Sequence, residues 1–242
     1  MNCHCCHQSY TSLSESTYKC IECGHIFRDY QGDNIQYHST QYRNLQRRDI
    51  NEIDKEGMIK QLFHRKRRKI CQQRMRRINP YLISLDKCLD VGSGGGTFAN
   101  LLRKKVLNVD CLELSPTLIN ELKRLKFFVY ESDYLSINFK KTYNMISAWH
   151  VLEHIVDIKK FVDISYSITN RFLIIEVPLL ESLNGKGRKR KLEDPNKTIF
   201  DGHYHYFSEK SFRNLMSGSF NIIELQEGIQ SPSLFAVMEK IQ

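Results

Sequence analysis

From Pro80 to the C-terminus short apolar runs alternate with helical patterns, and this alternation restricts the fold more than any other feature of the chain. The apolar runs include Lys87 to Val91, Val109 to Glu113, Phe127 to Tyr130, Tyr143 to Trp149, Phe172 to Val177, Phe220 to Leu225 and Leu234 to Met238. Helical stretches such as Pro116 to Leu125, Ile158 to Ile168 and Ser208 to Met216 fall between them. Strand and helix in turn over about 160 residues predict a parallel α/β sheet with helices on both faces.

The 79 residues ahead of this region read differently. Residues 1–30 are rich in Cys, His, Ser and Thr and too few to fold on a hydrophobic core alone. Residues 31–79 are polar and basic with spaced apolar positions, a helical linker or cap that ends at Pro80. Residues 80–242 form the main domain. The 242 residues carry a net charge of +9, and the segment from Met58 to Leu85 alone holds nine basic residues and no acid. No apolar run approaches the ~18 residues of a membrane span, and no secretory leader is evident at Met1 to His7, so a cytoplasmic location is expected.

The loop Asp90-Val91-Gly92-Ser93-Gly94-Gly95-Gly96 follows the first apolar run and opens a helix. Glycines here let the backbone turn sharply and approach a ligand at a helix N-terminus. Two registers compete. Gly94-x-Gly96-x-x-Ala99 fits the dinucleotide fingerprint, with Glu113 about 20 residues on as a ribose acid. In the other register, Asp90-x-Gly92-x-Gly94-x-Gly96 resembles the first motif of class I S-adenosylmethionine (SAM) methyltransferases.

Later motifs favour the second register. Val109 to Pro116 resembles that family's second strand, ending in the acid Glu113, with Ser115 expected to cap the next helix. Glu131-Ser132-Asp133 matches the end of the third strand, and Trp149 to Ile155 the segment after the fourth. Ile174 to Pro178 ends the fifth strand as in the family, and His203-Tyr204-His205-Tyr206-Phe207-Ser208 resembles the segment before the last helix. The resemblance, closest to small-molecule and sugar methyltransferases, implies a seven-stranded Rossmann-like sheet whose last strand is antiparallel. It places Asp90, Gly92, Gly94, Gly96, Glu113, Leu114, Asp133, Tyr134 and His150 around SAM. Quinone O-methyltransferases of the class use an acidic pair with a divalent ion. His150 replaces the first acid of that pair here, so the resemblance carries no catalytic metal over to this chain.

Cys3-x-x-Cys6 and Cys20-x-x-Cys23, thirteen residues apart, have the spacing of a zinc ribbon in which four thiolates hold one structural Zn2+. His4, Cys5, His7 and His25 are spare donors that leave the ligand set open by one. Candidates for a catalytic base are His150, His154, His203 and His205, because histidine titrates near neutral pH. A structural role stands beside the catalytic one for His154 and His205.

Three functions remain open from sequence. The favoured acceptor is a small molecule, a sugar nucleotide or glycan intermediate. A second reading is RNA methylation, with Arg65 to Lys69 meeting phosphates of a nucleic acid. A third is a zinc-ribbon nucleic-acid-binding module on a non-catalytic SAM-fold scaffold, against which the retained Asp90, Glu113 and Asp133 argue. The stretch around Tyr37, His38 and Tyr42 resembles a pocket-closing segment of sugar methyltransferases, and Lys186 to Lys191 reads as a basic loop.

Overall fold

β-branched and aromatic runs bounded by turn residues become strands once a neighbour satisfies their backbone groups, and most of the runs read from the sequence do so here. The computed structural model describes residues 2–29, 57–179, 203–229 and 232–242. The Tyr37 to Tyr42 and Lys186 to Lys191 segments lie outside them. Three short strands come first, β1 (Tyr10–Ser14), β2 (Thr17–Cys20) and β3 (Ile26–Arg28). There follow α1 (Gly57–Ile78), β4 (Lys87–Val91), α2 (Thr97–Leu102), β5 (Asn108–Leu112), α3 (Pro116–Arg124) and β6 (Phe128–Tyr130). The remainder is β7 (Tyr143–Trp149), α4 (Ile158–Ile168), β8 (Thr169–Pro178), β9 (His205–Tyr206), α5 (Glu209–Met216), β10 (Phe220–Glu227) and β11 (Ser233–Lys240).

The large sheet has seven strands in the order β10-β11-β8-β7-β4-β5-β6. The β4–β5, β5–β6 and β7–β8 pairs are parallel, whereas β11 runs antiparallel to both β8 and β10. This is the expected Rossmann-like sheet with its antiparallel last strand. A smaller sheet, β1-β2-β3-β9, joins the N-terminal hairpins to a strand from the far end of the chain.

The chain divides into two units, Gln31–Asp133 and Met1–Tyr30 with Tyr134–Gln242. In the first, Leu89, Val91, Cys111 and Leu112 from the strands are buried with Phe98, Ala99 and Leu102 of α2 and Ile119 and Leu122 of α3. Helix α1 buries Cys71, Arg74 and Ile78 along one helical stripe while Arg65 to Lys69 stay exposed. In the second unit β8 is central, and Leu173 to Val177 are all buried, as a strand covered on both faces requires. Helix α4 buries Ile158, Phe161, Val162 and Ile168, and its N-terminus is capped by Asp157, which accepts from Lys160 N at 2.9 Å. Among the described residues no helix is long and apolar enough to cross a membrane.

Candidate functional site

In the Gln31–Asp133 unit the loop after β4 is built from alternating left-handed residues, Gly92, Gly94 and Gly96, at φ +66°, +56° and +73°. Ser93 ties it down, its hydroxyl donating to Asp90 O at 2.6 Å and its amide to Leu112 O at 3.0 Å. Asp90 lies buried near the end of β4. Gly96 is restricted twice, because a Cβ there would also lie 2.8 Å from Leu122 Cδ2. Above Gly94, Arg67 Nη2 stands 2.5 Å from where a Cβ would be, so the basic helix α1 lays a guanidinium against the loop.

Glu113, at the carboxyl end of β5, organises this end of the sheet. One carboxylate oxygen accepts from Gly94 N at 2.8 Å, and the other from Leu114 N and Ser115 N at 2.9 Å each. Ser115 occupies the N-cap position of α3 but makes no side-chain cap, so the capping expected of it falls to Glu113. Asp133 follows β6 and is half-buried.

In the other unit Tyr134 is buried, packs on Phe161, and its hydroxyl bonds Ser165 Oγ at 2.9 Å. Burial raises that phenol's pKa, so it is a neutral core anchor rather than a polar contact for a ligand. His150 follows β7 in a left-handed conformation, φ +56°, uncommon for a residue with a side chain. Its ring lies between two buried carboxylates, Nδ1 3.3 Å from Glu153 and Nε2 3.4 Å from Glu176. Burial opposes charge on this imidazole, yet the two carboxylates outweigh it and raise the pKa to about 9. The sequence places Glu176 only within the fifth-strand segment Ile174 to Pro178 and carries no sign of its partnership with His150.

Of the four histidines proposed as bases, His150 is held between Glu153 and Glu176, and the other three part company. His154 and His203 are half-buried with ring centroids 4.6 Å apart, beside Glu153. His205 is fully buried, with Nδ1 3.2 Å from His25 Nε2 and Nε2 3.1 Å from Val156 O. Burial, then the neighbouring imidazoles of His25 and His4, hold its pKa well below the usual range. With both nitrogens engaged inside the protein, His205 serves as a structural link.

That link ends at the N-terminal cysteines. Cys3 and Cys23 sulfurs are 3.6 Å apart, Cys6 and Cys20 3.5 Å, and all four lie within 4.8 Å of one another. Four sulfurs at ~2.3 Å from a tetrahedral ion sit about 3.8 Å apart, so the set fits a metal with little movement. The two knuckles repeat one geometry. His7 and Gly24, each four residues after the first cysteine of its pair, are left-handed (φ +59° and +71°) and donate their amides to Cys3 O and Cys20 O. Cys5 groups instead with Cys3 and His25, and burial raises its thiol, so it is the least apt to ionise. The Cys5 thiol beside it and His25 hold Cys3 far below the usual thiol range, despite burial.

A mixed seven-stranded sheet, antiparallel only at β11, with a left-handed glycine loop after β4 and acids at the carboxyl ends of successive strands is the arrangement of a class I SAM-dependent methyltransferase. A family model described as a methyltransferase domain matches residues 63–221, and the chain belongs to that family. Solved structures agree in fold. A magnesium protoporphyrin IX methyltransferase from Synechocystis with bound SAM is 13% identical, with 88% of this chain and 100% of that chain covered and a TM-score of 0.59. An S-adenosylmethionine-dependent methyltransferase from Clostridium acetobutylicum is 13% identical, covering 72% and 92%, with a TM-score of 0.56. The N-methyltransferase NodS from Bradyrhizobium japonicum, in complex with S-adenosyl-L-homocysteine, is 14% identical, covering 74% and 88%, with a TM-score of 0.54. No curated protein matches the chain by sequence.

Proposed function

We propose that this methyltransferase binds SAM on the glycine loop and transfers its methyl group to a small-molecule acceptor, a sugar nucleotide or glycan intermediate. The observation that carries the cofactor assignment is the bond from Gly94 N to Glu113, which fixes the acid against the loop. Three N–H groups occupy three of the roughly four acceptor directions of that carboxylate, leaving one on the Gly94 side for a ribose hydroxyl. Gly92, Gly94, Gly96 and Asp90 would face the amino-acid end, Leu114 and Asp133 the adenine end, and His150 the entry to the acceptor side. Bound SAM supplies an electrophilic methyl on a positively charged sulfur. The protein's part is to hold an acceptor in line with that methyl and to manage the acceptor's proton, a task that falls to His154 and His203.

Cys3, Cys6, Cys20 and Cys23 hold, in this reading, one structural Zn2+, which closes the N-terminal knuckles and does no chemistry. Their 3.5 and 3.6 Å sulfur separations support it. Calorimetric titration with S-adenosyl-L-homocysteine tests the cofactor assignment, with micromolar binding expected; tight NADH binding with no such heat would sink it. Elemental analysis should find one zinc that Cys20→Ser loses and Cys71→Ser keeps.

RNA as the acceptor is a second reading, favoured by one observation: Arg65 to Lys69 are five consecutive exposed basic residues on α1. Incubation of the protein with labelled SAM and separate RNA and metabolite fractions decides which pool takes the label.

A further inference from the structure

We propose that the groove between α1 and α2 is a phosphate-binding site, in which Arg68 and Lys104 grip a phosphate group of a nucleotide or a polynucleotide. The inference deepens the acceptor reading above, since a sugar nucleotide and RNA both carry that group. It rests on that reading only for the ligand's role in methyl transfer.

Two helices of one unit build the groove by turning different faces to the core. Helix α2 buries Phe98, Ala99 and Leu102. Thr97, Asn100, Leu101 and Lys104, at positions i, i+3, i+4 and i+7, form another stripe, which runs from the helix into the turn after it. Helix α1 buries Cys71, Arg74 and Ile78, and Arg67 on that same side reaches the loop at Gly94. Arg68 is one residue further, about 100° around the helix, and faces the α2 stripe instead. The cavity between them has a volume of about 350 Å3, with Arg68, Thr97, Asn100, Leu101, Lys104 and Leu125 in its lining. Small-ligand pockets span about 300–1,000 Å3.

Charge selects the ligand. Arg68 and Lys104 are exposed, and neither meets a carboxylate among the described residues. The acids nearby in the chain are already taken, Glu121 by Arg124 at 2.6 Å and Glu131 by Lys123 at 2.7 Å. Arg103, next to Lys104, is anchored within the protein, donating to Leu125 O at 2.7 Å and lying 4.4 Å over the Phe127 ring. Lys104 has no such anchor. The half-buried side chains of Thr97 and Asn100 also lack a hydrogen-bond partner among the described residues. Two like charges lining one cavity repel each other, and an anion between them removes that cost.

The donor set fits a phosphate. An arginine fork gives two parallel N–H groups to two phosphate oxygens, and a lysine ammonium adds a compact charge. The Thr97 hydroxyl and the Asn100 amide are further donors on the α2 wall. A tetrahedral phosphate presents oxygens to both walls at once, whereas a planar carboxylate presents two in a single plane. Of the cofactor residues named above only Gly96 lines the cavity, so the two ligands can be measured apart.

The test titrates the full chain separately with inorganic pyrophosphate, uridine diphosphate and a short single-stranded RNA by calorimetry. S-adenosyl-L-homocysteine, which carries no phosphate, is measured alongside. Pyrophosphate should bind, and Arg68→Gln and Lys104→Gln should each weaken it about tenfold, the effect of one lost charged hydrogen bond. Both positions are exposed on helical or turn backbone, so the fold and S-adenosyl-L-homocysteine binding should persist. Lys105→Gln, an exposed neighbour outside the groove, should leave pyrophosphate affinity unchanged. Uridine diphosphate binding as tightly as RNA assigns the groove to a small molecule, and tighter RNA binding with a steep salt dependence assigns it to a polynucleotide. The inference is overturned if no phosphate probe binds to a protein that binds S-adenosyl-L-homocysteine. It is equally overturned if Arg68→Gln and Lys104→Gln bind pyrophosphate unchanged, or if Lys105→Gln weakens it as much as they do. If the phosphate probes bind and S-adenosyl-L-homocysteine does not, the groove stands and the methyl-transfer reading fails.

Discussion

A methyl group at position 96 would have to enter a left-handed backbone, φ +73°, and approach Leu122 Cδ2 to 2.8 Å. Strain of this kind costs about 1–3 kcal/mol, so Gly96→Ala should lower the thermal midpoint and weaken S-adenosyl-L-homocysteine binding together. Gly95, with open space around its Cβ position, should accept alanine with little change in either. Glu113 is the second sensitive residue. Replacing it with Gln puts an NH2 group opposite backbone N–H groups, and leaving a buried donor unsatisfied costs about 1–3 kcal/mol. Calorimetry should show Glu113→Gln binding the nucleoside product at least tenfold more weakly; unchanged affinity would remove the acid from the cofactor site.

Among the elements, α5 shows how a local signal acquires a distant role. Ser208 caps it in a reciprocal box with Ser211, and the same hydroxyl lies 2.5 Å from Cys23 O in the second knuckle. Ser208→Ala should destabilise the protein by about 1–2 kcal/mol, the usual cost of a lost cap, and urea unfolding measures it. The cap is readable in the sequence as a serine followed three residues later by another polar side chain. The bond to Cys23 is not, since it joins residues 185 apart. The same division runs through the site. Asp90, the glycines and Glu113 were legible because strand, loop and acid follow one another within about 25 residues of a known pattern. That Glu113 rather than Ser115 caps α3, that Tyr134 turns into the core and that His205 pairs with His25 depend on packing between segments. Neither periodicity nor spacing carries that information.

At the scale of the whole molecule, β3 pairs antiparallel with β9, Ile26 opposite Tyr206 and Phe27 opposite His205, and Arg28 N donates to Tyr204 O at 2.9 Å. The cysteine knuckles are therefore continuous with the segment that carries His203. Removing the proposed zinc with a chelator should shift one cooperative unfolding transition rather than melt a small module first. Hydrogen exchange at the amides of Arg28 and Tyr204 should quicken together. Salt separates the acceptor classes. Turnover on a sugar nucleotide should be nearly salt-independent, whereas RNA affinity falling with a log–log slope of about −4 or steeper would favour the nucleic-acid reading. The β3–β9 pairing also sets an order of events during synthesis. Residues 26–28 leave the ribosome nearly 180 residues before the strand that covers their edge. For that interval the knuckles present an unpaired strand edge, which invites pairing with other chains. A nascent chain halted before residue 203 should accordingly self-associate, and release of the remaining residues should suppress it.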